Sequence, residues 1–396
     1  MKRLFLIFAL VSFCAAPAAA QSPERGLVNG NTDFAFALYR QVREDRGNIF
    51  FSPYSISTCL GMVYAGARAE TAAQMAEVLH FAVEADLHPT FQDLQASIDA
   101  IGKNGDVRLL VANALWAQKD YVFLPAFLDL TSRYYDAAVN AVDFAGEAEA
   151  VRLRINSWVE GKTNDKIKGL LPPGILTPLT RLVLTNAVYF KGTWDNSFDR
   201  SMTTDEYFYR TLEDPAKVPM MKTTGEYGYL EGEGFHMLEM PYAGGDLSMV
   251  ILLPEHHDGL KPFEDRLNAQ DLGLWLGAMT IRTIDVHLPK FTMVSKFKLG
   301  KTLAAMGMPD VFLPQADLSG IDGTRELYLA EVIHQAFVDI NEEGTEAAAA
   351  TAAPLLLRAL PMPNPQFKAD HPFVFLIREK STRNILFLGR VLDPKE

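Results

Sequence analysis

The chain has 396 residues, 48% of them hydrophobic and 22% charged, a composition that supports a substantial packed core and excludes a disordered scaffold. Its formal charge of −12 describes a surface that repels polyanions, so nucleic acid is not an expected partner. The small basic group Lys162, Lys166 and Lys168 is interrupted by acids and reads as solvated helix surface.

Residues 1–20 read as a secretory signal: Lys2 and Arg3 precede an apolar run from Leu4 to Phe13, and Ala18, Ala19 and Ala20 form a small-residue cleavage site. A lipoprotein signal ending at Cys14 fits less well, because bulky Phe13 precedes that cysteine. The mature chain then begins near Gln21, and loss of Lys2 and Arg3 from the 37 basic residues leaves 35 against 49 acidic ones, a formal charge of −14. Cys59 is left alone, so no internal disulfide is available. No later stretch reaches the roughly 18 apolar residues that a bilayer span requires, so no membrane is expected as a partner. Asn-x-Ser/Thr acceptors with a permitted middle residue are absent, which favours a bacterial exported protein over a glycosylated eukaryotic one. The expected location is extracellular or periplasmic.

Asn31, Thr32 and Asp33 are candidate caps for a helix with the apolar stripe Phe34, Leu38 and Val42. Ser52 caps the next helix, with Pro53 at its first position and Ile56, Cys59, Leu60 and Val63 as the buried stripe. Thr71 with Gln74 reads as a capping box for a third. Strand chemistry follows over residues 108–116, 181–190, 247–253, 283–288 and 330–340, and the chain closes as a hairpin of two apolar runs, 373–377 and 385–391. There is no composition break or repeat, so residues 21–396 read as one α+β domain.

The chain holds no G-x-S-x-G, H-E-x-x-H or P-loop, and none of its eight histidines are spaced to share a helical face around a metal. His256 and His257 read as an exposed turn. Glu342 and Glu343 are neighbours that a strand would point to opposite faces, so they do not make an acid/base pair. No enzyme activity, cofactor or metal is predicted.

The unusual feature is Glu342-Glu343-Gly344-Thr345-Glu346 followed by Ala347 to Ala350, Thr351, Ala352 and Ala353, then Pro354, Leu355 to Leu357, Arg358, Ala359, Leu360 and Pro361. Read as an extended segment, Thr345, Ala347, Ala349, Thr351 and Ala353 share one small, uncharged face while Glu346 and the remaining alanines share the other. Taken alone, such a stretch reads first as a flexible alanine-rich linker.

Around it lie residues 48–56 (Asn-Ile-Phe-Phe-Ser-Pro-Tyr-Ser-Ile), Thr185 to Trp194 (Thr-Asn-Ala-Val-Tyr-Phe-Lys-Gly-Thr-Trp), Leu288-Pro289-Lys290-Phe291, His334, Asp370-His371-Pro372-Phe373 and Phe387-Leu388-Gly389-Arg390. In this order, over essentially the whole mature chain, these residues resemble the serpin family, inhibitory type. The resemblance implies a single domain of three β-sheets and about nine helices, with an exposed reactive loop over residues 344–366. It implies a metastable suicide inhibitor, normally a monomer, whose loop is cut by a serine protease and then enters the main sheet. It assigns Gly344, Thr345, Glu346, Ala347, Ala348, Ala349, Ala350 and Thr351 to the hinge. Ser52, Ser55, Asn186 and His334 fall to a polar shutter where the sheet parts, and Trp194, Lys290 and Glu342 to the breach where the loop first enters. Seventeen residues run from the hinge glutamate through the cut residue in such inhibitors; Glu342 to Arg358 is seventeen, which sets the scissile bond at Arg358-Ala359. Arg358 suits a protease of trypsin-like specificity, whereas Leu357 or Leu360 would suit chymotrypsin-like or elastase-like enzymes if the register slips. Heparin binding is not expected of so acidic a surface. The alternative is a non-inhibitory relative that uses the same fold for binding or transport.

Overall fold

The computed structural model describes residues 22–44, 47–81, 86–101, 107–120, 122–136, 139–345 and 364–396. The first half runs α1 (Pro23–Val42), β1 (Ile49–Phe51), α2 (Pro53–Gly66), α3 (Ala69–Val78), α4 (Leu87–Ile101), β2 (Val107–Gln118), α5 (Pro125–Tyr135), β3 (Val139–Val142), α6 (Phe144–Lys162) and β4 (Leu182–Thr193). The second half begins with β5 (Thr204–Thr211), β6 (Asp214–Gly232), β7 (Phe235–Pro241), β8 (Leu247–Pro254), α7 (Leu260–Arg266) and α8 (Ala269–Ala278). It continues through β9 (Thr280–Pro289), β10 (Phe291–Lys298), α9 (Gly300–Met306), α10 (Ser319–Asp322), β11 (Glu331–Ile340), β12 (Gly344–Thr345), β13 (Gln366–Lys368), β14 (Phe373–Glu379) and β15 (Ile385–Val391). This is the α+β architecture expected from the pattern, helices leading and strands closing.

Helix α2 starts as the sequence dictates. Ser52 Oγ accepts from the Ser55 amide at 3.1 Å, Pro53 follows, and Ile56, Cys59, Leu60 and Val63 are buried. Burial pushes the Cys59 thiol up, so it stays a neutral core group. Helix α1 begins earlier than predicted, at Pro23 behind the cap Ser22, because a Ser-Pro pair again marks the start; Asn31 is carried inside the helix and buried. The capping box at Thr71 does not form. Thr71 Oγ1 accepts from the Asp317 amide at 2.9 Å and Gln74 Oε1 from the Asp310 amide at 3.1 Å, so tertiary partners take both side chains and α3 starts at Ala69.

Two hydrogen-bonded sheets result. One has the order β10-β11-β4-β2-β3, with β12 also paired to β4; the other has the order β1-β15-β14-β8-β7-β6-β9-β13, with β5 also paired to β6. The second contains two of the three sheets that the resemblance implies, because the 19-residue β6 runs through both. One of its edges takes β5 and then β7, while the other takes β9. The main core lies between the two sheets and the helices α1, α2 and α4. A second apolar cluster, with Trp116, Phe144, Ile155, Leu170 and Ile333, fills the space between α6 and the other face of the six-stranded sheet. Strand β4 is therefore covered on both faces, which is why it reads as an unbroken apolar run.

Candidate functional site

The six-stranded sheet contains a seam. β4 and β11 are neighbours and parallel, paired from Val183 with Glu331 to Tyr189 with Phe337. Past Phe337 they part, and the chain leaving β11 turns back on itself through Asn341 to Gly344. The Asn341 amide donates to the Gly344 carbonyl at 2.8 Å, and the Gly344 amide donates to the Asn341 carbonyl at 3.1 Å. Gly344 has φ +133°, and a Cβ there would lie 2.1 Å from the Gly192 carbonyl oxygen, so glycine alone fits. Beyond the turn, β12 runs antiparallel to β4, with Gly344 opposite Thr193 and Thr345 opposite Gly192. Gly344 and Thr345, the first two residues of the expected reactive loop, thus already lie at the open end of the parallel pair.

That open end is tied down. Glu342 and Glu343 sit in the turn rather than on a strand, yet they still diverge. Glu342, 5% exposed, accepts from Lys290 Nζ at 2.9 Å and from Thr203 Oγ1 at 3.1 Å, while Glu343 pairs with Arg200. Burial opposes ionisation of Glu342, but the Lys290 ammonium and the Thr203 hydroxyl outweigh it and hold the carboxyl below its usual range. Trp194 stacks on Tyr242 with centroids 4.7 Å apart, its Nε1 donates to the Asn341 carbonyl at 3.0 Å, and its amide donates to the Glu343 carbonyl at 2.9 Å. The geometry brings Trp194, Lys290 and Glu342 together, and adds Thr203 and Arg200.

Lower on the seam, buried polar groups meet. His334 and Asn186 are register partners across it, and Asn113 on β2 is the register partner of Asn186 on its other side. The Ser52 amide donates to His334 Nε2 at 3.1 Å, which leaves the imidazole proton on Nδ1, facing Asn186 Oδ1. Asn186 Nδ2 in turn donates to Ser55 Oγ at 2.5 Å and to Asn113 Oδ1. Burial pushes the His334 pKa down to about 3, so the ring is neutral and each end of the network has one sense of donation. Ser52, Ser55, Asn186 and His334 converge. Asn113 completes the cluster and was missed by sequence reasoning; a lone asparagine between Ala112 and Ala114 in an apolar strand was its one signal.

The outer face of the seam is covered by the segment after α6. Lys166 Nζ lies 5.9 Å from the Tyr189 ring centroid and 5.8 Å from that of Phe337, spanning the last pair before the strands part. Lys296 Nζ on β10 donates to the Gly169 carbonyl at 2.8 Å. Of the basic group, Lys162 is solvated on the last turn of α6 and Lys168 is exposed beyond it, whereas Lys166 lies past the helix end and packs across two aromatic rings.

Glu346 to Thr351, Pro354, the bond Arg358-Ala359 and the signal at residues 1–20 lie outside the described residues. The chain is described again from Asn364. Its Nδ2 donates to Asp285 Oδ1 at 3.0 Å, and β13 then pairs in parallel with β9. The segment therefore starts on one sheet and ends on the other.

Comparison with known proteins agrees along most of the chain. The profile of the serpin (serine protease inhibitor) family matches residues 29–394. The rat protein leukocyte elastase inhibitor A is 43% identical over 379 residues, covering 93% of this chain and 99% of the relative. Among solved structures, uncleaved ovalbumin matches with a TM-score of 0.85 at 31% identity, covering 93% of this chain and 100% of that one. Human thyroxine-binding globulin, solved in complex with thyroxine, matches with a TM-score of 0.84 at 32% identity, covering 95% and 100%.

Proposed function

The chain belongs to the serpin family of serine protease inhibitors, and from that premise we propose that it traps a trypsin-like protease as an acyl-enzyme by inserting its cleaved loop between β4 and β11. The protease serine attacks the Arg358 carbonyl, the bond to the Ala359 nitrogen breaks with a proton delivered by the protease histidine, and Arg358 is left as an ester. Insertion then outruns hydrolysis of that ester. Serpins are a standing example of such strand addition.

The observation that carries this reading is the pairing of Gly344 and Thr345 with β4. Continuing that register sets Ala347 opposite Phe190, Ala349 opposite Val188, Thr351 opposite Asn186 and Ala353 opposite Leu184. Residues directly opposite share a face, and Phe190, Val188 and Leu184 belong to the main core. Small side chains enter above that core at little steric cost, and Thr351 brings a hydroxyl to the polar cluster. The inserted strand would turn a parallel pair into two antiparallel ones, the more stable pairing. Roughly 15 residues at about 3.3 Å carry the tethered protease on the order of 50 Å. Ser52, Ser55, Asn113, Asn186 and His334 are then the shutter, whose bonds exchange as the strands separate; Trp194, Lys290 and Glu342 form the breach. Pro354 falls opposite Val183 and, lacking an N–H, forfeits one ladder bond, which lowers efficiency without stopping insertion.

The inhibitor is consumed rather than turning over, acts as a monomer, and is exported to the extracellular or periplasmic space by residues 1–20. The support for export is the sequence pattern of that segment. A second reading, cleavage at Leu357 or Leu360 by an elastase-like protease, has the name of the rat relative in its favour. A third, a carrier that never inserts, has the thyroxine-binding structure in its favour. A denaturing gel separates them. Mixing with trypsin yields an SDS-stable band of summed mass, and Arg358→Leu abolishes it; a band with elastase alone supports the second reading, and no band with either the third.

A further inference from the structure

Side chains from two segments more than 100 residues apart, His257 and the adjacent pair Asp370 and His371, converge at the far end of β8, away from the seam. We propose that His257, Asp370 and His371 bind one divalent transition-metal ion of the zinc class. Among the described residues, theirs is the one group of histidine, cysteine and carboxylate ligands close enough to hold a metal, with all ligand atoms within 4.8 Å of one another.

The register creates the site. β14 pairs antiparallel with β8, Val374 opposite Leu252, so the turn after Pro254 lies beside the residues leading into β14. This long-range pairing is what the histidine spacing could not reveal. His257 is half-buried there, not on a fully exposed turn, and Tyr209 meets its ring edge-on at 4.9 Å. The Tyr209 amide also donates to the Asp370 carbonyl at 2.7 Å, so a third strand, β5, fixes the cluster.

The hydrogen bonds of His371 point to a cation. Its Nε2 lies 2.7 Å from the Pro254 carbonyl, which can only accept, so the ring proton is on Nε2. In the neutral ring the Nδ1 lone pair then faces Asp370 Oδ1 at 2.9 Å, acceptor against acceptor, a contact that either a metal ion or a second ring proton relieves. His257 Nε2 approaches the same oxygen at 3.8 Å. Ligand atoms about 2.0–2.2 Å from a tetrahedral zinc stand roughly 3.3–3.5 Å apart, within the range these separations span. A histidine ligand whose other N–H donates to a backbone carbonyl is the usual outer support of such a site. His371 and Asp370 are largely enclosed, with side chains 6% and 16% exposed, while His257 has room to rotate at 35%. It borders a cavity of about 540 Å³ from which water can supply the fourth ligand. Of the neighbouring cations, Arg210 is paired with Asp214 and Asp393, while Lys368, 3.4 Å from Asp370 Oδ2, shares Glu206 with Lys222 and leaves Oδ1 to the two imidazoles. Two imidazoles and one carboxylate match zinc, and exclude calcium and magnesium, which require oxygen ligands.

The test titrates Zn²⁺ into the full chain against a chromophoric chelator, and repeats the titration with Co²⁺, whose visible bands report tetrahedral ligation. One equivalent binds. His257→Ala weakens binding by about 10-fold or more and removes the cobalt bands, whereas the adjacent His256→Ala changes neither. In the unmutated chain, Zn²⁺ also protects His257 but not His256 from chemical modification, a readout independent of how any variant folds. No binding, equal binding in both variants, or equal modification of both histidines would overturn the proposal and leave a single proton between His371 and Asp370.

Discussion

The C-terminal hairpin and the β4–β11 seam are both buried strand pairs, and they are joined by different forces. In the hairpin every residue of β14 and β15 is buried, the pairing is antiparallel, and Phe50 from β1 stacks on Phe387 at 4.9 Å and on Phe375 at 5.7 Å. Separating these strands would return apolar area to water at about 25 cal/mol per Å² with nothing gained in exchange. The seam is parallel, and its middle is held by the His334–Asn186 contact and the serine and asparagine groups around it. A polar contact can be exchanged for another polar contact at small net cost, which apolar packing cannot do. Permanence thus follows apolar area, and separability follows exchangeable hydrogen bonds.

Thr345→Arg gives the largest expected effect on the seam. Under the proposed insertion, the substitution puts a charge on a strand that must pass over the main core, so entry slows while cleavage at Arg358 continues. Trypsin is then released active and the SDS-stable band is lost. The matching change in the hairpin, Phe387→Ala, lowers unfolding free energy by about 3–5 kcal/mol through the cavity it leaves. The folded fraction still traps trypsin with unchanged stoichiometry. A Thr345→Arg protein that traps one for one, or a Phe387→Ala protein that becomes a substrate, would erase the distinction.

The next effect is a pH dependence confined to the seam. Folded His334 titrates at about 3, well below the ordinary histidine value near 6.5, so the unfolded chain binds more protons between these values. Its contribution is complete above pH 6.5 and is lost as pH falls, by about 1.4 kcal/mol per unit until the folded pKa is reached. Between pH 6.5 and about pH 5 this amounts to about 2 kcal/mol. In denaturant titrations His334→Gln should flatten the acid slope by that amount, and identical slopes would mean that the ring is not held neutral at the seam.

Much of this contrast was legible in the sequence. The hairpin runs, the Ser52-Pro53 start of α2 and the unbroken apolar strand β4 follow from local rules, and the alanine-rich segment announced itself by composition. The parallel pairing of β4 with β11 did not, because nearly 140 residues separate the two strands and no local pattern encodes it. The strands between Thr204 and Pro241 were missed: Pro215, Pro219, Gly225 and Gly228 interrupt any local strand pattern, and only pairing on both edges of β6 overrides them. Glu342 and Glu343 read as strand residues because the reversal at Gly344 depends on its close approach to Gly192. Lys166 read as solvated because nothing local shows two rings beneath it.

Lys166 supplies the smallest effect and the sharpest control. Its ammonium sits over Tyr189 and Phe337, one ring from each strand of the seam, at the point where they begin to diverge. The attraction favours the closed arrangement by about 0.5–2 kcal/mol and weakens once the two rings move apart. Lys162 makes a similar contact 5.9 Å from the Trp158 ring, but both residues belong to α6 and neither bridges the seam. Lys166→Ala and Lys162→Ala should therefore lower the melting temperature by similar amounts, a few degrees at most. They should differ in the race between insertion and hydrolysis: without Lys166 the strands part sooner, and fewer inhibitor molecules are spent for each trypsin trapped, while Lys162→Ala leaves that ratio unchanged. Equal stoichiometries for the two variants would show that the cation over the seam contributes stability only and has no part in holding it shut.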